Sequence, residues 1–180
     1  FLKKITHEFS QVKFGNPALF NEGELHMGPL VEKRAQESVE AKVSLAVSQG
    51  AKVEIGGKAS GGKGYFFEPT ILSNVQQSMT IMHEETFGPV LPIAKFVELD
   101  EVIAMANDCE FGLTSSLYGK NINDLLYITR RLEFGETYIN RENFEAMQGF
   151  HAGWKKSGIG GADGKHGLEE FLQTQVVYLE

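Results

Sequence analysis

The chain has 180 residues, of which 42% are hydrophobic and 23% charged, a composition typical of a globular protein with one domain or one domain and an appendage. Its formal net charge is −7, and no basic cluster is longer than a pair such as Arg130-Arg131, which excludes a basic nucleic-acid-binding surface. The sequence has neither an apolar run of the roughly 20 residues that a membrane helix needs nor a signal peptide, and its single cysteine, Cys109, favours a reducing cytoplasm.

The first part of the chain predicts two helices. Phe1, Leu2, Ile5 and Phe9 have the spacing of a buried helical stripe. This helix begins without a cap or an initiating methionine, so we expect the chain to be the C-terminal part of a longer polypeptide. Gly28-Pro29 predicts the start of a second helix that ends near Gly50. Its apolar stripe consists of Val31, Ala35, Val39, Val43 and Val47.

Short strands follow the second helix. Val53–Ile55 predicts a strand that ends at Gly56-Gly57. Pro69 separates Tyr65–Phe67 from Thr70–Leu72, which predicts strand pieces at a sheet edge or at a bend.

Strands and helices alternate in the next part of the chain. We predict strands at Leu91–Phe96, Leu113–Tyr118 and Thr137–Asn140, with helices at Asp100–Asn107 and Asn121–Leu132 between them. This alternation is typical of an α/β fold with a parallel sheet.

The pattern changes after Asn140. Residues 141–166 are irregular and rich in glycine and aromatic residues, and a helix around Leu168–Leu172 precedes a terminal strand at Thr174–Leu179. An uncovered strand exposes unpaired backbone groups, so we expect this one to pair with another sheet or another subunit.

The run from Glu84 to Val90 combines paired carboxylates, an aromatic ring and a Gly-Pro turn. It could be a loop with a buried phenylalanine, or a site where a carboxylate binds a sugar hydroxyl beside a flat heterocycle. The run also resembles a signature of the aldehyde dehydrogenase superfamily, and further pieces in the family's order extend the resemblance over the whole chain. These pieces include Phe14–Pro17, Gly28–Leu30, Pro69-Thr70, Asn107-Asp108, Phe111–Leu113, Ile139-Asn140 and Lys156–Gly158. The segment 134–179 is most similar to the lactaldehyde/glycolaldehyde dehydrogenase subgroup.

The resemblance implies the catalytic-domain fold of that family, a mainly parallel twisted sheet with flanking helices, followed by a C-terminal helix and an oligomerisation strand. Residues 1–140 would be part of the catalytic domain, and residues 141–180 the substrate loop, the helix and the strand. The implied reaction oxidises a small hydroxyaldehyde, lactaldehyde or glycolaldehyde, to its carboxylic acid with NAD, or with NADP, through a cysteine thiohemiacetal and a thioester. A homodimer or homotetramer is implied as well.

No catalytic residue is expected within the chain. By the resemblance, the nucleophile and the base lie upstream of Phe1, so the chain alone is predicted to be inactive. A lone cysteine can be a nucleophile, but Cys109 lies between Asp108 and Glu110, whose charges disfavour a thiolate, and outside the family's nucleophile motif. We therefore expect Cys109 to be structural.

Two residues of the signature are candidates for cofactor binding. By the resemblance, Glu85 binds the nicotinamide ribose hydroxyls and Phe87 packs beside the nicotinamide, whereas Glu84 is expected to be a structural partner. Ser38 occupies a position where the family often has a basic residue that reaches the cofactor, and a solvated helix face is the expected role of this shorter side chain.

Substrate selection is expected in the loop after Asn140. Many family members have two aromatic residues there, and Glu145 and His151 take those places in this chain. A carboxylate and an imidazole can hydrogen-bond a hydroxyl group, which favours a hydroxyaldehyde substrate. Alternatively, both are solvated loop residues, or Glu145 pairs with Arg141 or a lysine. Asn140 is expected to fix the following loop.

Other functions remain open. The remaining histidines have no metal-ligand spacing, so no metal site is predicted. The alternatives to a hydroxyaldehyde dehydrogenase are a non-enzymatic α/β module for binding or assembly and a related dehydrogenase that acts on semialdehydes or acyl phosphates.

Overall fold

A computed structural model describes residues 1–180, which divide into two units, Phe1–Lys95 and Phe96–Glu180. The first unit contains two helices, three strands and two single turns of 3₁₀ helix. They are α1 (Leu2–Ser10), a 3₁₀ turn (Pro17–Leu19), α2 (Lys33–Ser48), β1 (Lys52–Ile55), β2 (Thr70–Val75), a second 3₁₀ turn (Thr80–Met82) and β3 (Val90–Ala94).

The three strands form one sheet in the order β1-β2-β3. β1 pairs with β2 in antiparallel fashion, and β2 pairs with β3 in parallel, with Thr70 opposite Val90. β2 is therefore central, so the sheet-edge position predicted as one alternative for Thr70–Leu72 is wrong. Because Pro69 directly precedes the strand, its missing amide hydrogen removes no bond from the ladder, and the Thr70 amide donates to the Pro89 carbonyl oxygen at 2.8 Å.

Helix α2 covers this sheet and supplies much of the core. Val39, Val43 and Ala46 are at most 2% exposed and belong to one apolar cluster with Phe67 and Leu72. The predicted stripe is thus confirmed at its centre and wrong at its ends, because Val31 is 88% exposed and Val47 44%.

The start of α2 differs from the prediction. The Leu30 amide donates to the Tyr65 carbonyl oxygen at 2.9 Å, which holds the chain after Gly28-Pro29 extended, so the helix begins only at Lys33. The predicted end is confirmed, because Gly50 follows the helix with a φ of +111° that favours glycine.

Helix α1 is present as predicted and packs against β1 and β2. Leu2, Ile5 and Phe9 are half-buried, whereas Phe1 precedes the helix and is exposed. The stripe therefore lies on the surface of the sheet and does not enter the core.

The second unit contains three helices and six short strands. They are α3 (Leu99–Asn107), β4 (Phe111–Gly112), β5 (Thr114–Leu117), α4 (Ile122–Thr129), β6 (Glu136–Ile139), β7 (His151–Ala152), β8 (Trp154–Lys155), β9 (Gly161–Ala162) and α5 (Gly164–Glu169). β5 and β6 are parallel, whereas the pairs β4–β8 and β7–β9 are antiparallel. The predicted α/β class is confirmed, with parallel and antiparallel pairs in both units.

The C-terminal elements differ from the prediction. Helix α5 ends at Glu169, and the chain continues only in single turns, in which the amides of Phe171 and Leu172 donate to the carbonyls of Leu168 and Glu169. The predicted strand Thr174–Leu179 is not formed, and its side chains are exposed. A strand needs a neighbour for its backbone groups, and none is paired with this segment.

No helix in the structure combines the length and apolar character that crossing a membrane requires.

Candidate functional site

The signature run forms a tight loop between the second 3₁₀ turn and β3. Two successive three-residue turns shape it, with the Gly88 amide donating to the Thr86 carbonyl and the Val90 amide to the Gly88 carbonyl, both at 2.8 Å. Gly88 lies directly on α2, where a Cβ atom would come within 2.5 Å of Val39 Cγ2. The loop therefore rests on the helix at a point where only glycine fits without movement of Val39.

The two predicted cofactor residues, Glu85 and Phe87, lie on the outside of this loop. The Phe87 ring is 77% exposed, and the Glu85 carboxylate makes no ion pair or hydrogen bond with residues 1–180. Between them, the Thr86 hydroxyl is buried without a hydrogen-bond partner. An exposed ring and a free carboxylate within three residues are groups that a flat, hydroxylated ligand could cover.

Lys42, on α2, contacts this loop through two of its residues. Its ammonium donates to the Glu85 carbonyl oxygen at 2.5 Å and lies 3.4 Å from the Glu84 carboxylate. The Lys42 side chain is 21% exposed, so these contacts are partly shielded from water. Glu84 is thus a structural partner as expected, and the role of Lys42 was not predicted from the sequence.

Phe87 contributes to two depressions in the first unit. One, of about 270 Å³, is lined by polar residues that include Arg34, Ser38, Lys42 and Glu85. Ser38 is exposed on α2, as expected, and it lies at this depression. The other depression, of about 520 Å³, is mainly apolar and is lined by Met27, Gly28, Pro29, Leu30, Phe67, Phe87, Gly88 and Pro89.

The predicted substrate residue His151 lies on β7, in the second unit. Its Nδ1 atom is shielded from solvent and lies 3.1 Å from Glu136 Oε1. This contact does not have the geometry of a hydrogen bond, so the two groups form an ion pair when the ring is charged. The Glu136 carboxylate raises the pKa of His151 against the opposing effect of burial, and the charges of Glu145 and Asp163 act in the same direction. His151 is therefore more easily protonated than a free histidine.

Glu145 is exposed and makes no ion pair within the chain. The proposed alternative, a pair with Arg141, is not formed, because the Arg141 guanidinium donates to the Phe144 carbonyl oxygen at 2.9 Å. Glu145 nevertheless contributes to the electrostatic environment of His151 and Tyr138. The structure thus brings Glu145 and His151 into one environment without a direct bond between them.

Glu136 and Tyr138 complete the surroundings of His151, and the sequence analysis identified neither. The Tyr138 hydroxyl donates to Glu136 Oε2 at 2.7 Å, and this bond together with burial raises the pKa of Tyr138 to about 12. The two residues alternate along β6, so a period-two pattern on one strand face was the available signal.

Asn140 has the predicted structural role. Its side-chain amide exchanges hydrogen bonds with the backbone of Gly119, at 2.9 and 2.8 Å, which joins the segments that follow β5 and β6. Cys109 is half-buried in the turn after α3, and its carbonyl accepts from Lys155 Nζ at 3.0 Å. No group of side chains in residues 1–180 is arranged to hold a metal ion.

Comparison with known proteins identifies the family to which this chain belongs. The model of the aldehyde dehydrogenase family matches residues 1–177, and the chain belongs to that family.

Among individual relatives, the lactaldehyde dehydrogenase of Escherichia coli is 60% identical over 180 residues, which are 100% of this chain and 37% of that protein. A crystal structure of the E. coli enzyme superposes with a TM-score of 0.94 and covers 99% of this chain and 37% of its own. A 3,6-anhydro-alpha-L-galactose dehydrogenase from a Vibrio species is 46% identical over 99% of the chain and 38% of its own length.

A betaine aldehyde dehydrogenase from Staphylococcus aureus, solved in complex with NAD+, has a TM-score of 0.86 and 33% identity, covering 94% of this chain and 34% of its own. The chain thus spans little more than a third of the length of the relatives it matches.

Proposed function

We propose that the chain is the C-terminal part of an NAD(P)+-dependent aldehyde dehydrogenase that oxidises lactaldehyde or glycolaldehyde to the carboxylic acid. The observation that carries this proposal is the 60% identity to a lactaldehyde dehydrogenase over the whole chain. The polar pair Glu145 and His151 supports the choice of substrate, because both side chains can bond a hydroxyl group.

The loop on α2 would hold the cofactor. Glu85, whose carboxylate is free, would accept hydrogen bonds from the ribose hydroxyls, and Phe87 would pack its exposed ring on the nicotinamide. The exposed Glu85 carboxylate and the apolar depression beside Phe87 fit a ligand that is polar on one side and flat on the other. When bound, the dinucleotide accepts the hydride that leaves the substrate carbon.

The substrate would be oriented by the second unit. A protonated His151 can donate a hydrogen bond from Nε2 to the hydroxyl oxygen of the aldehyde, while Glu145 accepts a hydrogen bond from the same hydroxyl group. An unsubstituted aldehyde would leave both groups without a partner, which costs free energy in the bound state. The cysteine nucleophile and the general base would come from the upstream part of the protein, so the 180-residue chain alone would be inactive.

Location and assembly follow from the same proposal. We infer a cytoplasmic homodimer or homotetramer in which residues 174–179, exposed and unpaired here, add a strand to a neighbouring sheet.

The test is an assay of reduced cofactor formation by the full-length protein. Lactaldehyde, glycolaldehyde, propanal and succinate semialdehyde are compared, each with NAD+ and with NADP+. The proposal expects the highest kcat/KM with one of the two hydroxyaldehydes and none with the isolated chain. A preference for the semialdehyde would favour the related dehydrogenase, and inactivity with every aldehyde would favour a binding module.

A further inference from the structure

We propose that Glu136 is a positioning residue for substrate selection: its carboxylate, 3.1 Å from Nδ1 of His151, keeps the proton on that nitrogen and leaves Nε2–H of the charged ring free for the substrate hydroxyl. This inference rests on the proposed role of His151 and adds to it the residue that orients the ring. Glu136 itself contacts no substrate in this account.

Both oxygen atoms of Glu136 are occupied within the protein. Oε1 lies 3.1 Å from His151 Nδ1, and Oε2 accepts the Tyr138 hydroxyl at 2.7 Å. The Glu136 side chain is 15% exposed, so the carboxylate has little access to water. Its backbone is fixed as well, because β6 pairs with β5 and the Glu136 amide donates to the Leu113 carbonyl at 3.1 Å. The Tyr138 bond to Oε2 and the paired backbone hold the carboxylate independently of His151, so that Oε1 faces the imidazole.

Gly135 brings the two elements together. A Cβ atom on Gly135 would lie 1.6 Å from the Ala152 carbonyl oxygen, so only glycine allows the start of β6 to lie against β7 at this point. Glu136 and His151 are the chain neighbours of these two residues. The close backbone approach therefore places the carboxylate beside the ring, although the two residues belong to different strands.

The charged groups around His151 favour a cationic ring. Glu136 makes the closest contact, and Glu145 and Asp163 add negative charge. Two further charged or titratable groups contact other rings, since Arg141 lies 5.7 Å from the Tyr138 ring centre and His166 packs on Phe150.

This surplus of negative charge raises the pKa of His151, with the Glu136 contact as the largest cause. The donor form of Nε2 is therefore present at low pH and persists to higher pH than in a free histidine. It is lost as the pH rises through the raised pKa.

The experiment compares kcat/KM for lactaldehyde and propanal in the full-length protein from about pH 5 to about pH 9. The main variant is Glu136→Gln, which keeps the shape and removes the charge. We expect it to lower the lactaldehyde-to-propanal ratio about fivefold to tenfold, through KM for lactaldehyde, because one oriented hydrogen bond is weakened. The preference should also disappear at lower pH than in the wild type.

Two further variants separate orientation from folding. Tyr138→Phe removes the bond to Oε2 and keeps the carboxylate, so the ratio should fall less than in Glu136→Gln. Glu136→Asp keeps the charge on a shorter side chain and should restore part of the ratio. Activity with propanal reports whether each variant is folded, and its loss in Glu136→Gln would mean that Glu136 has a general structural role and would overturn the inference.

A His151→Gln variant distinguishes this inference from the proposed function. If His151→Gln lowers the ratio while Glu136→Gln changes neither the ratio nor its pH dependence, the role of Glu136 is wrong and the role of His151 stands. If His151→Gln leaves the ratio unchanged, His151 does not read the hydroxyl group, and both proposals fail.

Discussion

The loop at residues 84–90 and the segment at residues 136–151 hold their candidate functional side chains in opposite ways. In the loop, the backbone is fixed by Lys42 and by two tight turns, while the side chains of Glu85 and Phe87 remain exposed. In the segment, His151 is itself held by Glu136, which Tyr138 holds in turn. The loop therefore leaves the side chains of Glu85 and Phe87 free for a ligand. In the second segment, by contrast, the contact with Glu136 sets the charge and orientation of His151 before a ligand binds.

The comparison predicts that a backbone change will have its largest effect on stability in the second segment. Gly135→Ala should lower the free energy of unfolding by about 3 kcal/mol or more, because the new Cβ atom meets the Ala152 carbonyl oxygen and the backbone must move. Gly88→Ala should cost less, since its nearest neighbour is the Val39 side chain. Urea unfolding of the chain measures both, with Gly61→Ala as the control because its Cβ atom would meet nothing within 4 Å. Equal losses at Gly135 and Gly61 would contradict the close approach.

Because the Glu85 carboxylate has no partner in the protein, its removal should change cofactor affinity but not the free energy of unfolding. Glu85→Gln should weaken cofactor binding by about 1–3 kcal/mol, the range for a hydrogen bond to a charged group, and leave unfolding unchanged. Isothermal titration of the full-length protein with NAD+ or NADP+ measures the affinity. Phe87→Ala is the companion variant and should slow turnover more than it reduces affinity. If both variants bind and turn over like the wild type, the loop has only a structural role.

Loss of the Lys42 contacts to the loop should have a smaller, indirect effect on cofactor affinity. Lys42→Met removes the bonds to the Glu85 carbonyl and to Glu84 but keeps the apolar stem, so cofactor affinity should fall about threefold to tenfold. Lys33→Met on the same helix is the matched control, because Lys33 pairs only with Glu37 on the exposed face and should change affinity little. An equal response of the two variants would show that net charge, and not the contact, is responsible.

Local features of both regions could be predicted from the sequence, whereas the contacts that hold their side chains and backbone in place could not. The Gly-Pro turn and the paired carboxylates pointed to the loop, and the alternation of strands and helices pointed to the α/β class. The contact between Lys42 and Glu85 joins residues 43 positions apart and has no local pattern. The ion pair of Glu136 with His151 depends on the backbone approach of Gly135 to Ala152, which becomes visible only when the strands are packed.

The wrong predictions for the start of α2 and for the terminal strand also arise from contacts between residues distant in the sequence. A Gly-Pro pair is a fair signal for a helix start, but the hydrogen bond from Leu30 to the distant Tyr65 keeps that segment extended. Residues 174–179 are rich in the β-branched and aromatic residues typical of a strand. A strand forms only where a neighbour accepts its backbone bonds, however, and no neighbour pairs with them here. Tertiary contacts thus decide where local patterns begin and whether they form.

The most direct test of the account is the ratio of kcat/KM for lactaldehyde to that for propanal in the full-length protein and its His151→Phe variant. Phenylalanine fills similar space but offers no hydrogen bond, so the ratio should fall about fivefold or more, the effect of one lost hydrogen bond to a charged group. A fall in the ratio with retained propanal activity is the result that the account predicts. An unchanged ratio would contradict it, because His151 would then not distinguish a hydroxyaldehyde from an unsubstituted one.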